Sequence, residues 1–181
     1  MRPSLLPVLL CSAALAGCMA PETDEQVIRR QYGIPAAARV LMAQVSPAEA
    51  GWFGREGLKI TMVFGLSEGD FDALTRRLKA TSHWQPLPIP ETTLAHLAGI
   101  RRARAAGAVG NLTDQQLLAQ FRQTMPPHPP IGWYQIQTAG TNILHAPKTV
   151  RDTLATDVND FMLAVLDPER HTLMVRVSTI Y

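Results

Sequence analysis

Cysteine is scarce here: the 181 residues hold two, too few to staple a fold with several disulfides or to build a thiolate metal site. The five histidines, His83, His96, His128, His145 and His171, show no paired helical spacing of the H-E-x-x-H kind, so no metal centre is expected. No Walker A loop and no dinucleotide fingerprint occurs, and no cofactor is expected. Charge of one sign is also missing. Seventeen basic residues face 15 acidic ones with both signs interspersed, which argues against nucleic acid as a partner, because phosphate binding needs a concentrated basic face. No internal repeat is found, and no apolar run reaches the roughly 20 residues that span a bilayer.

What the chain does carry begins at its start. Arg2 precedes an apolar stretch from Leu5 to Ala16 that holds no charge, the pattern of an export signal. The stretch meets small residues and then Glu22, Asp24 and Glu25 too early for a membrane span. At its end, Leu15-Ala16-Gly17-Cys18 resembles the lipobox of bacterial lipoproteins. That resemblance implies removal of residues 1–17, a diacylglycerol thioether on Cys18 and then an amide-linked acyl chain such as palmitate. Residue 19 is Met rather than Asp, which in such lipoproteins implies the periplasmic face of the outer membrane, with inner-membrane retention as the alternative. Two or more acyl chains anchor stably, since each buried methylene contributes about 0.8 kcal/mol. Cys11 leaves with the leader, so the mature chain has no thiol pair and folds by packing alone.

The organisation expected is a lipidated tether over 18–37 and one domain over 38–181. In the tether, Thr23 and Gln26 form a capping box and Gly33 can end a short helix, with a disordered linker as the alternative. Alternating apolar residues predict strands over 39–45, stopped by Ser46-Pro47, and over 58–64. Ser67 as N-cap, Asp70 at the third helical position and a Leu66–Phe71 staple predict a helix over 68–80. Pro86, Pro88 and Pro90 make 85–90 extended. One helix is expected over 91–106, and another after the Thr113/Gln116 capping box. Pro126 to Pro130 form a stiff connector, then 131–137 reads as a strand, 143–145 as a short strand and 149–156 as a short helix. Phe161 to Leu166 is continuously apolar, as in a strand covered on both sides. Asp167-Pro168 suits a type I turn, and 173–178 alternates like a strand with one wet face. The fold class is therefore α+β: a mainly antiparallel sheet with helices packed on one face, ending in a β-hairpin.

Three groups of residues carry possible chemistry. Gly65-Leu66-Ser67-Glu68-Gly69 matches the nucleophile elbow G-x-S-x-G between a strand and a helix. Asp157, Asp160 or Asp167, and then His171, follow in the Ser, Asp, His order of α/β-hydrolases. The same serine is also accounted for as a helix N-cap. Arg101, Arg102 and Arg104 suit lipid or lipopolysaccharide phosphates, against an ordinary cationic helix end. Trp52, Phe53, Trp84, Trp133 and Tyr134 suit a carbohydrate or peptide groove, against burial in the core. The expected function is a non-catalytic, lipid-anchored periplasmic domain that binds an envelope protein or peptidoglycan. A serine hydrolase using Ser67 and His171, and an inhibitor or immunity lipoprotein against a periplasmic enzyme, are the alternatives.

Overall fold

The computed structural model describes residues 21–48, 57–81, 83–107, 110–127 and 129–180. Cys18 and the segment before it, Trp52, Phe53 and His128 lie outside these residues. Among the described residues twelve elements follow one another: α1 (Asp24–Tyr32), β1 (Arg39–Ala48), β2 (Gly57–Gly65), α2 (Glu68–Thr81), β3 (Gln85–Pro86), α3 (Glu91–Ala98), α4 (Ile100–Ala105), α5 (Asp114–Gln123), β4 (Trp133–Thr138), β5 (Thr149–Arg151), β6 (Phe161–Asp167) and β7 (Thr172–Ile180).

The strands form one sheet in the order β1-β2-β7-β6-β4-β3, and β5 also pairs with β4. Every pairing is antiparallel. The α+β class, the antiparallel sheet and the closing β6–β7 hairpin are as expected. The helices, expected on one face, occupy both. Along β6, Met162, Ala164 and Leu166 join a core with Ile28 and Tyr32 of α1 and Phe71 and Leu74 of α2. Phe161, Leu163 and Val165 point the other way, into a core with Leu94 and Leu97 of α3, Ile100 of α4 and Leu118 of α5. Successive strand side chains face opposite sides, so a continuously apolar strand requires a cover on each.

Local signals are followed closely at the helix starts. Both capping boxes form, Thr23 with Gln26 and Thr113 with Gln116, and Gly33 ends α1 in the left-handed conformation. Val27, Ile28 and Tyr32 of α1 are buried in the core, so the folded unit reaches back to Thr23, ahead of the Ala38 start read from the sequence.

Elsewhere the expectations need correction. The single helix over 91–106 is two, because Gly99 has a φ of 68°, a backbone that ends α3 and that side-chain-bearing residues rarely adopt. Residues 143–145 are a turn, in which the N–H groups of His145 and Ala146 donate to Asn142 O. Residues 149–151 form β5 rather than a helix, since the edge of β4 beyond β3 is open and accepts them. Strand β1 runs through Pro47 to Ala48; an outermost strand tolerates a residue without an N–H. The expected wet face of β7 is also covered: Met174 and Arg176 are buried, beneath the segment that closes α5.

Candidate functional site

Strand β2 ends and β7 begins at the same end of the sheet, and there the three hydrolase candidates approach one another. The Leu66 N–H donates to His171 O at 3.0 Å, which fixes the elbow beside the β6–β7 turn. Ser67 Oγ donates to Asp70 Oδ2 at 2.8 Å and accepts from the Asp70 N–H at 3.2 Å, so the hydroxyl caps α2. Asp167 is buried, and its Oδ1 accepts from the N–H groups of Glu169 (2.9 Å) and Arg170 (3.1 Å), closing the turn. The His171 ring stacks at a tilt on Phe71, with centroids 5.4 Å apart. The structure thus brings Ser67, Asp167 and His171 into one neighbourhood. The polar atoms of Ser67 and Asp167 serve a cap and a turn rather than a proton relay, which needs nucleophile, base and orienting carboxylate in hydrogen-bonded sequence. Asp157 and Asp160 lie elsewhere: Asp157 meets His96, and Asp160 accepts from Thr179 Oγ1 at 2.7 Å.

Two adjoining clefts open at this end. The first, about 230 Å³, has a floor of Val63, Val165 and Met174, a wall of Pro126, Pro127 and Pro129, and Asp167 with Arg170 at its polar end. The second, about 370 Å³, is lined by Arg39, Ser67, Asp70 and Arg170. Leu41 and Arg170 border both. Leu41 sits at a bulge between Val40 and Met42, and it lies over Gly65, where an added Cβ would come within 2.9 Å of its Cδ1. Leu41 is 57% exposed, as is Val45 farther along the same outermost strand. The first cleft is therefore an apolar floor beside a sheet edge, with Arg170 at its rim.

The arginine triplet does not form one free patch. Arg104 is tied to α5 through Asp114 and, at 2.8 Å, Leu112 O, while Arg101 is exposed. The Arg102 backbone N–H donates to Asp157 Oδ2 at 2.8 Å. The two described tryptophans do not form an open groove either. Trp84 and Trp133 are partly buried against the α1/α2 core, and Lys79 Nζ lies 3.9 Å from the Trp133 ring centre, a cation–π contact. Tyr134 is buried in the opposite core.

Two buried polar groups escaped the sequence reading. His96 Nδ1 is 3.0 Å from Asp157 Oδ1, and both side chains are nearly enclosed. Asp157 thereby also caps α4, whose own N-cap, Gly99, has no side chain to offer. The available signal was a polar residue between Leu94 and Leu97 on an apolar helix face, which must find a partner. Arg176 is the second: Nη1 donates to Thr124 O and Nη2 to Thr124 Oγ1, and its guanidinium lies 5.3 Å from the Phe121 ring. Burial holds its pKa below the ordinary arginine value. Among the described residues no group of three His, Cys, Asp or Glu side chains is placed to hold a metal ion. Comparison with protein-family models, with curated proteins and with solved structures finds no match to this chain.

Proposed function

We propose that this chain is a lipid-anchored domain of the bacterial envelope, held on the periplasmic face of the outer membrane, that binds an envelope protein at the cleft beside Leu41. The observation that carries the address is Leu15-Ala16-Gly17-Cys18 behind a charge-free apolar run. Among the described residues no helix is long and apolar enough to cross a membrane. A protein partner is favoured over a glycan strand because the cleft floor is apolar and adjoins a strand edge, where a peptide segment can add main-chain hydrogen bonds.

The address is tested by labelling cells with radioactive palmitate. The full chain is expected to take up label and to stay with membranes after a high-salt wash, and Cys18→Ala to lose both properties. An unlabelled wild-type protein with intact Met1 overturns the reading. Binding is tested with a photo-crosslinking residue at Leu41; no specific adduct with an envelope protein counts against it.

A second reading, hydrolysis by Ser67 and His171, draws on one observation, the Leu66–His171 hydrogen bond that sets the two segments side by side. A fluorophosphonate probe decides it: labelling lost in Ser67→Ala supports catalysis, and an unlabelled wild-type domain ends that reading.

A further inference from the structure

We infer that the start of α1 and the neighbouring turn over 142–148 form the face that rests on lipid headgroups, with the clefts at the opposite, membrane-distal end of the sheet. The inference rests on the lipid-anchor reading, and what it adds is which side of the domain meets the bilayer.

Its basis is how little chain separates the anchor from the fold. Glu22 is already fastened: Arg30 Nε donates to its Oε1 at 3.0 Å and Arg30 Nη2 to its Oε2 at 2.7 Å. Thr23 caps α1, and the helix cannot slide or lift without unburying Val27, Ile28 and Tyr32. Cys18 and Glu22 are four residues apart in sequence, so fully extended backbone can place them at most about 14 Å apart. An acylated Cys18 therefore holds this side of the domain at the headgroups.

The same side includes the 142–148 turn. Ile143 and Leu144 are buried in the core that holds Val27 and Ile28. Glu22 lies within electrostatic range of His145, and Lys148 within that of Arg30, whose guanidinium reaches back to Glu22, so the turn lies beside the helix start. The turn is in turn tied to one end of β7, because the Ile143 N–H donates to Thr179 Oγ1 at 3.2 Å. The clefts lie at the other end of that strand, where Thr172 and Arg170 line them. At 3.3–3.4 Å per residue, Thr172 and Thr179 are separated by about 23 Å along β7. Strand β7 thus acts as a spacer that holds the clefts away from the lipid.

The chemistry of this face fits lipid tethering rather than attraction to anionic headgroups. Arg30 is balanced by Glu22 at 2.7 Å, Asp24 and Glu25 open α1, and Lys148 Nζ donates to the Leu144 and Ala146 carbonyls. Orientation should therefore persist at high salt, because Debye screening weakens exposed charge attraction and leaves acyl burial intact.

The mature chain has no free thiol once Cys18 is acylated, so one added cysteine can be labelled selectively. Lipidated His145→Cys and Arg170→Cys proteins, each carrying a bimane fluorophore at an exposed position, are reconstituted into phosphatidylethanolamine/phosphatidylglycerol vesicles doped with a headgroup-attached quencher. Quenching at position 145 is expected to exceed that at position 170 at least threefold, in low and in high salt alike. Equal quenching, or stronger quenching at 170, overturns the orientation while vesicle flotation still supports the anchor. Protein that fails to float with the vesicles overturns both.

Discussion

Strands β6 and β1 draw on similar residues and meet opposite fates. Strand β6 is buried along its whole length, between α1 and α2 on one face and α3 to α5 on the other. Strand β1 is the outermost strand, and Val40, Leu41 and Val45 remain exposed on it. An apolar side chain contributes according to the surface that closes over it, about 25 cal/mol per Å² removed from water. Hydrophobic residues in a strand thus state a requirement, and the arrival of helices decides whether it is met. The open strand also borders both clefts through Leu41, so an exposed apolar edge of the sheet is available to a partner.

The sharpest way to break the contrast is truncation at the centre. Leu163→Ala removes a side chain with no exposure and is expected to lower the unfolding free energy by about 2–5 kcal/mol in urea titration. A loss below about 1 kcal/mol would mean that the second helical layer is loosely packed. Next comes the polar anchor of that layer. Asp157→Ala removes both the His96 partner and the α4 cap, and a loss of about 1–3 kcal/mol is expected, with faster hydrogen exchange at the Arg102 amide.

Tyr32 sharpens the contrast from the other side, as a flaw within the interior. Its hydroxyl is buried without a hydrogen-bond partner among the described residues. Tyr32→Phe is therefore expected to stabilise by about 1 kcal/mol. Burial also raises the phenol pKa above the ordinary 10.0. A raised folded-state pKa gives stability that is complete below the unfolded value and lost as pH rises towards the folded one. Wild-type stability should accordingly fall above about pH 10, and less steeply in Tyr32→Phe, as followed by circular dichroism. The smallest effect is expected on the open strand, where Val45→Thr should change stability by less than about 0.5 kcal/mol. A larger loss would show that β1 is covered in solution.

The elements read correctly from residue order have their causes within a few positions. Thr23 with Gln26, Thr113 with Gln116 and Ser67 with Asp70 satisfy helix N–H groups three residues away, and Asp167 does the same for its turn. The misread ones depend on distant partners. Residues 149–151 pair with β4 because its edge was free, and their helical spacing did not decide the matter. Arg176 looks solvent-facing in an alternating strand, yet Thr124 and Phe121, more than 50 residues earlier, close over it. At the candidate site, G-x-S-x-G and the later aspartates were visible as types in order. Which aspartate meets which histidine was not, because Asp157 reaches His96 across 61 residues.

By itself, the sequence determined the starts of α1, α2 and α5, the closing hairpin and the α+β class, since capping, turn chemistry and strand alternation act over neighbouring residues. The tertiary structure alone decided that the sheet is covered on both faces, that Asp157 meets His96, and that the clefts gather around Leu41 and Arg170. Those outcomes depend on which surfaces meet after the chain closes on itself, and the free energy of burying a group is set by whatever arrives opposite it.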